Sequence, residues 1–417
     1  MTFDHRNETL RRDPRAAELV NWITQEGLLG NSNTWMLEAY CEKLVALGVP
    51  LFRYHVTQNA LHPVYGGLGF DWQAGRGTVN HEYRHSDEAP PIWQASPFFF
   101  MLENGLDRYR ETVEAPDRPS RFNIINEMRQ QGATDYLAKM IAFTPWEEGT
   151  PITPGDRNEG AIMSWMSDAP GGFSEHDVQL IETTCPLLSL AMKARANRKT
   201  AESLLAIYLG HDAGRRVLSG EVRRGSSRWI DAVICCFDLE GFTSLSQRVA
   251  GDTLIAMLNT YYEHVVSAIE DNGGDVLKFM GDGLIAIFDR DAVTDAPDRA
   301  MRAVMAFGAA LDAENAQKRA EGRPVLDHTV ALHAGRVLYG NIGGAARLDF
   351  TVIGPEVNFA ARLGNMHRPL GRSVILSEDV ARDVTPVDGR ELISLGRYML
   401  RGVDMPKELF TIHMNDA

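Results

Sequence analysis

Two aspartates have the type and setting for chemistry. Asp238 follows an apolar run of strand length, residues 232–237. Asp282 stands between Gly281 and Gly283, with apolar runs over 276–280 and 284–288 on either side. Asp-Gly between apolar runs is a strong hairpin signal. Carboxylates at strand ends beside tight turns suit a hard divalent ion. Such an ion takes one or two of them and completes its shell with phosphate oxygens and water. Either aspartate alone would more often serve its own turn. Asn358 and Arg362 form a second pair, four apart and so on one helix face. Pro355 suits the first position of that helix. The Arg362 guanidinium is a planar, permanently charged fork fitted to phosphate.

These residues need elements to hold them. Residues 232–237 read as a central strand covered on both faces. A helix over 253–269 follows, then the hairpin strands 276–280 and 284–288, then a helix from Pro297 to about 316. Strands over 329–338 and 349–353, a helix over 355–366, and a last short helix with two strands in 373–382 and 391–413 complete the half. The order β-α-β-β-α-β is a ferredoxin-like split unit. Upstream, 16–48 reads as helix broken at Gly30 and Asn31, 50–56 as a strand, and 60–95 as strands with long loops. Residues 135–143 and 159–167 read as central strands, and 175–197 as a helix capped by Ser174. The fold class is α+β. It divides into a flexible N-terminus 1–15, an N-terminal domain 16–197, a helical linker 198–227 broken at Gly210, and a C-terminal domain 228–414.

Four segments acquire meaning together. They are Phe237-Asp238-Leu239-Glu240-Gly241-Phe242-Thr243, Lys278-Phe279-Met280-Gly281-Asp282-Gly283, the stretch 335–343 (GRVLYGNIG), and 349–363 (DFTVIGPEVNFAARL). In this order and spacing they resemble the class III nucleotidyl cyclase catalytic domain. The resemblance implies conversion of a nucleoside triphosphate to its 3′,5′-cyclic monophosphate and pyrophosphate, with two Mg²⁺ or Mn²⁺ ions per active site. It implies that Asp238, Asp282 and the Leu239 carbonyl hold the metals. Leu239, Gly241, Phe242 and Thr243 would meet the triphosphate through backbone N–H groups. Asn358 would orient the ribose, Arg362 would stabilise charge at the α-phosphate, and Lys407 would contact the phosphates.

Lys278 and Thr351 match the base-reading positions, and a Lys–Thr pair resembles an adenylyl subgroup, so ATP is the expected substrate. Lysine can donate to an adenine ring nitrogen and threonine can accept from the exocyclic amine. Asp349 lies nine residues before Asn358 and could be mistaken for the base-reading acid; Thr351, seven before, matches the motif. The family takes its metal residues from one subunit and the base, ribose and transition-state residues from the other. A head-to-tail homodimer with composite active sites is therefore implied. The chain departs from the family at Pro355-Glu356, where Asp-Thr is frequent. A guanylyl or pyrimidine nucleotide cyclase and a non-catalytic nucleotide-binding regulator stay open as alternatives. Residues 160–192 are similar to the last strand and helix of a GAF-type sensory domain, which implies an N-terminal GAF-like α/β module answering to an unknown small-molecule or protein signal.

Composition narrows the partners. Against 42 Lys and Arg stand 56 Asp and Glu, a net charge of -14, so bulk attraction to nucleic acid or anionic lipid is not expected. The mean hydropathy of -0.22 and 24% charged residues are those of a globular chain. The longest suspect apolar run, 98–102, is far short of the ~18 residues of a spanning helix. No membrane insertion is expected. Cys41, Cys185, Cys235 and Cys236 form no CxxC pair, which suits a reducing compartment and a cytoplasmic location. His81-Glu82-Tyr83-Arg84-His85 fits the HExxH zinc pattern, but no apolar helical stripe surrounds it. His55, His62, His81 and His85 read as local hydrogen-bonding residues, and Trp93, Phe98, Phe99 and Phe100 as core.

Overall fold

The computed structural model describes residues 13–59, 65–84, 90–113, 118–151, 159–344, 346–385 and 390–414. His62, His85 and most of the stretch 1–15 lie outside the described residues. The chain divides into two compact units, Met1–Leu204 and Leu205–Ala417. No helix among the described residues is long and apolar enough to cross a membrane.

In the first unit, Asp13 caps α1 (Pro14–Leu29) by accepting from the Arg15 backbone N–H, and Ser32 does the same for Trp35 in α2 (Asn33–Ala46). There follow β1 (Leu51–Asn59), β2 (Tyr65–Gln73), β3 (Gly77–Arg84), α3 (Pro91–Gln94), α4 (Pro97–Glu103), β4 (Arg108–Thr112), α5 (Asn123–Gln130), β5 (Asp135–Ala142), β6 (Gly160–Ser167) and α6 (Glu175–Leu209). The six strands lie in the order β3-β2-β1-β6-β5-β4, every neighbour antiparallel. Each face carries its own core. Tyr54, Leu137 and Trp165 pack with α1, α2 and α6; Tyr136, Ala138 and Met140 pack with Phe98, Met101, Phe122 and Ile125. Neighbouring residues of β5 thus alternate between two apolar layers.

Within residues 91–103, where Pro, Phe and Met suit strand or helix alike, lie α3 and α4, each begun by proline at a position that needs no N–H. His81 to Arg84 lie on β3, a strand, so His81 and Glu82 point to opposite faces. The helix expected to stop near 197 continues to Leu209. Nothing between 197 and 209 breaks it: Lys-Thr-Ala-Glu-Ser-Leu-Leu-Ala is rich in good helix formers, and Arg198 pairs with Glu202 one turn on at 3.2 Å.

The second unit contains α7 (His211–Leu218), β7 (Ser227–Glu240), α8 (Phe242–Ser246), α9 (Gly251–Asp271), β8 (Asp275–Met280), β9 (Gly283–Asp289), α10 (Ala296–Ala320), β10 (Asp327–Gly343), β11 (Leu348–Ile353), α11 (Pro355–Gly364), α12 (His367–Leu370), β12 (Val374–Ser377), α13 (Glu378–Ala381), β13 (Arg390–Tyr398) and β14 (Lys407–Met414). The final stretch therefore holds three strands where two were expected. The sheet runs β13-β14-β12-β10-β7-β9-β8, with β11 added on β10. Within it β10-β7-β9-β8 is the spatial order of a split βαβ unit. β7 is buried on both faces: Val233, Cys235, Phe237 and Leu239 join the layer of α9 and α10, while Ile230, Ala232 and Ile234 join the layer containing Ala213 of α7 and Ala360 of α11.

α7 docks on the first residue of β8. Asp275 Oδ1 accepts from the backbone N–H of His211 at 3.1 Å and of Asp212 at 3.5 Å. Gly210, at φ 91, makes the approach possible, since a Cβ there would lie 2.7 Å from the Val276 oxygen. Burial, helped by the Asp212 charge and opposed by the two N–H bonds, pushes the Asp275 carboxyl from 3.8 up to about 6. The folded state therefore holds this proton more tightly than the unfolded chain. The stability it contributes is present below the ordinary carboxylate range and lost as pH rises through about 6. Asp275→Asn keeps the acceptor and cannot ionise. Its melting temperature relative to the unmutated protein should rise between pH 4 and pH 7, by an amount equivalent to about 2 kcal/mol. A difference that does not change with pH would contradict the assignment.

Candidate active site

β7 and β9 carry the two aspartates to the same end of the sheet. Phe237 pairs with Leu284, so the next step along each strand sets Asp238 beside Gly283. A Cβ on Gly283 would lie 2.6 Å from the Phe237 oxygen and 2.9 Å from Asp238 Oδ1, a closeness that only glycine permits. Tyr262 of α9 steadies the hairpin tip. Its hydroxyl donates to the Gly281 oxygen at 2.6 Å, and its ring meets Phe279 edge-on at 4.5 Å.

The electrostatics show the two carboxylates acting on each other. Partial burial raises the Asp238 pKa, the Asp282 charge raises it further, and the Leu239 N–H opposes both. Tyr261, its pKa raised by burial and by Tyr262, also feels both aspartates, and its buried hydroxyl has no hydrogen-bond partner among the described residues. Two repelling carboxylates gain from a cation between them. Among the described residues no group of three or more His, Cys, Asp or Glu side chains is placed to hold a metal. Two carboxylates and the neighbouring Leu239 carbonyl are oxygen donors of the kind that would fit Mg²⁺ or Mn²⁺, with phosphate and water as the remaining ligands. Next to them Gly241, at φ 72, caps the short α8; Phe242 packs on the core and Thr243 is exposed.

A second group sits where β8 passes β11. Lys278 Nζ lies 3.0 Å from Asp349 Oδ2. Thr351, two residues on and on the same face of β11, is 9% exposed. Asp349, set aside on sequence spacing, is thus the partner of Lys278. The period-two alternation of β11 was the signal that linked it to Thr351.

The third group lies on α11 and at the start of β14. Asn358 is exposed, and Arg362 Nη1 donates to the Gly402 oxygen at 3.4 Å. Lys407 Nζ is 2.8 Å from Glu378 Oε1 and 4.0 Å from Asp379 Oδ2. Its ammonium holds the Glu378 carboxyl below the ordinary range. Among the described residues no hydrogen bond or ion pair joins Asp238 or Asp282 to Lys278, Thr351, Asn358, Arg362 or Lys407. Sequence reasoning missed Tyr261 and Tyr262, which periodicity presents only as part of a helix.

Comparison with known proteins gives this geometry a family. Residues 227–414 match the model described as the adenylate and guanylate cyclase catalytic domain. This stretch of the chain is similar to a cyclase catalytic domain. An adenylate cyclase of Anabaena cylindrica is 31% identical over 169 residues, 40% of this chain and 32% of that protein. Adenylate cyclase 1 of Rhizobium meliloti is 29% identical over 174 residues, 41% of this chain and 26% of that one. The chain thus spans about a third or less of those two relatives. A solved bacterial light-regulated adenylyl cyclase is 22% identical, with a TM-score of 0.45, over 55% of this chain and 64% of its own.

The cyclase domain depends on the close approach at Gly283. Gly283→Ala should cost about 1–3 kcal/mol in denaturant unfolding, because the neighbours are backbone and the carboxylate itself. It should also weaken Mn²⁺ binding in calorimetric titration. A variant with normal stability and normal Mn²⁺ affinity would show that the approach is not needed.

Proposed function

We propose that the protein is an adenylyl cyclase that converts ATP to 3′,5′-cyclic AMP and pyrophosphate by attack of the ribose 3′-hydroxyl on the α-phosphorus. The observation that carries this reading is the meeting of Asp238 with Asp282 across Gly283, within a domain of the cyclase family. Divalent ions bound there, Mg²⁺ or Mn²⁺, two per site, lower the pKa of the attacking hydroxyl and neutralise charge on the triphosphate. The Gly241, Phe242 and Thr243 backbone at the start of α8 binds phosphate oxygens. Lys278 donates to an adenine ring nitrogen and Thr351 accepts from the 6-amino group. Asn358 orients the ribose. Arg362 presents its fork to the charge that develops at the α-phosphate, and Lys407 leaves Glu378 to meet the phosphates.

The working form in this reading is a head-to-tail homodimer with two shared sites. The exposed apolar side chains Phe279, Met280, Leu348 and Ile353, all on β8 and β11 around Lys278, support a partner surface there. The first unit serves as a GAF-like sensory domain, over about 16–197, that tunes the cyclase. Its antiparallel sheet with a separate core on each face supports that role, since one core can answer a ligand while the other holds the fold. A reducing, cytoplasmic setting suits the chain's four cysteines, which form no CxxC pair.

Purified protein with ATP and Mn²⁺ should form cyclic AMP. Preferential turnover of GTP, CTP or UTP would refute the base assignment. Asp238→Ala and Arg362→Ala should each lower activity at least 100-fold, and mixing the two inactive proteins should restore part of it. No recovery on mixing would argue against shared sites.

A further inference from the structure

The cyclase domain contains a polar chain centred on a buried histidine, to which the reading above assigns no task. His333, in the middle of β10, is 2% exposed. Its Nδ1 lies 2.9 Å from Ser377 Oγ and its Nε2 lies 2.6 Å from Glu356 Oε2. The ring packs on Phe359 of α11, centroids 4.2 Å apart. Ser377 is fully buried, ends β12 and stands at the N-cap of α13. Glu356 is in the first turn of α11, pressed against Gly335, where a Cβ would meet Glu356 Cγ at 2.7 Å. An ionised carboxylate only accepts hydrogen bonds, so Nε2 carries the hydrogen, and Nδ1 of the neutral ring accepts from the Ser377 hydroxyl. Burial keeps the ring below its ordinary pKa, against the pull of Glu356.

The two ends of this chain matter. α11 continues from Glu356 to Asn358 and Arg362. α13 begins with Glu378 and Asp379, the carboxylates that hold Lys407. One imidazole therefore joins the starts of two helices that carry or hold three of the site residues. A buried hydrogen-bonded ring adds little net stability over an apolar one of the same shape, but it admits only one orientation of its partners.

We propose that His333 is a positioning residue: through Glu356 and Ser377 it ties the first turn of α11 to the start of α13, and so sets the spacing between Asn358 and Arg362 on one side and Lys407 on the other, which rests on the cyclase reading of those three residues. Glu356, at the place where the chain departs from its family, supplies the acceptor that completes the tie.

The test compares kcat and KM for ATP with Mn²⁺ in the full chain, in Glu356→Ala, Glu356→Gln and Ser377→Ala, with melting temperatures alongside. Glu356→Ala and Ser377→Ala should lower kcat roughly 10- to 100-fold, since small misplacements of transition-state groups cost that much. KM should stay within about threefold, and the melting temperature should fall only by the few degrees that one unsatisfied buried nitrogen costs. Glu356→Gln, whose amide oxygen still accepts from Nε2–H, should recover most of the rate. Normal kcat in Glu356→Ala, no rescue by glutamine, or losses that follow the melting temperature would each overturn the proposal. Nitrogen-15 NMR of the His333 ring reads the tie without turnover. A single neutral tautomer with hydrogen on Nε2 is expected, and a ring averaging between tautomers in the unmutated protein would overturn the proposal even where a variant fails to fold. Absence of cyclase activity in the unmutated protein would refute the cyclase reading alone, leaving the NMR result to decide the tie.

Discussion

The pairing of β7 with β9 brings two negative charges to one sheet end, and the rest of the cyclase domain is arranged around that cost. Phe237 against Leu284 leaves Asp238 and Gly283 no choice but to be neighbours. Asp282, one residue back, then raises the energy of the ionised Asp238. Without a side chain at Gly283 the approach is sterically open, and with Tyr262 on the Gly281 carbonyl the tip cannot easily swing away. A cation relieves the repulsion.

The cationic side chains show the opposite condition. Lys278 rests on Asp349, and Lys407 on Glu378 and Asp379. These are surface or half-buried pairs, worth about 0–1 kcal/mol each, and weak enough to exchange for a ligand. Such pairs hold the flexible lysines in place at little energetic cost. Arg362, on the carbonyl of Gly402, is held in the same loose way. The firm element is the run Ser377–His333–Glu356, whose imidazole and serine are buried.

The first unit illustrates how local signals and packing share control. Ser174 marks a helix start that was legible as short-range chemistry, while the caps at Asp13, inside the stretch expected to be flexible, and at Ser32 were not read. The continuation of α6 to Leu209 was not, because Asn197 looks like a natural end and only the absence of a breaker before Gly210 argues otherwise. Residues 92–106 combine Pro, Phe and Met in a way that suits strand or helix; burial of Phe98 and Met101 against β5 decided for helix.

The amino-acid sequence by itself determined most of the elements of the C-terminal domain and the residues on which its proposed chemistry rests. An uninterrupted apolar strand, an Asp-Gly hairpin, proline-led helices and a helical Asn–Arg pair are all local patterns, and local patterns survive without coordinates. Tertiary structure alone decided which side chains answer one another. That Asp349 holds Lys278, that Asp238 feels Asp282, and that His333 reaches both Glu356 and Ser377 depends on strands and helices 23 to 71 residues apart in the chain. Such contacts arise from sheet order and packing, which no spacing within a single segment encodes.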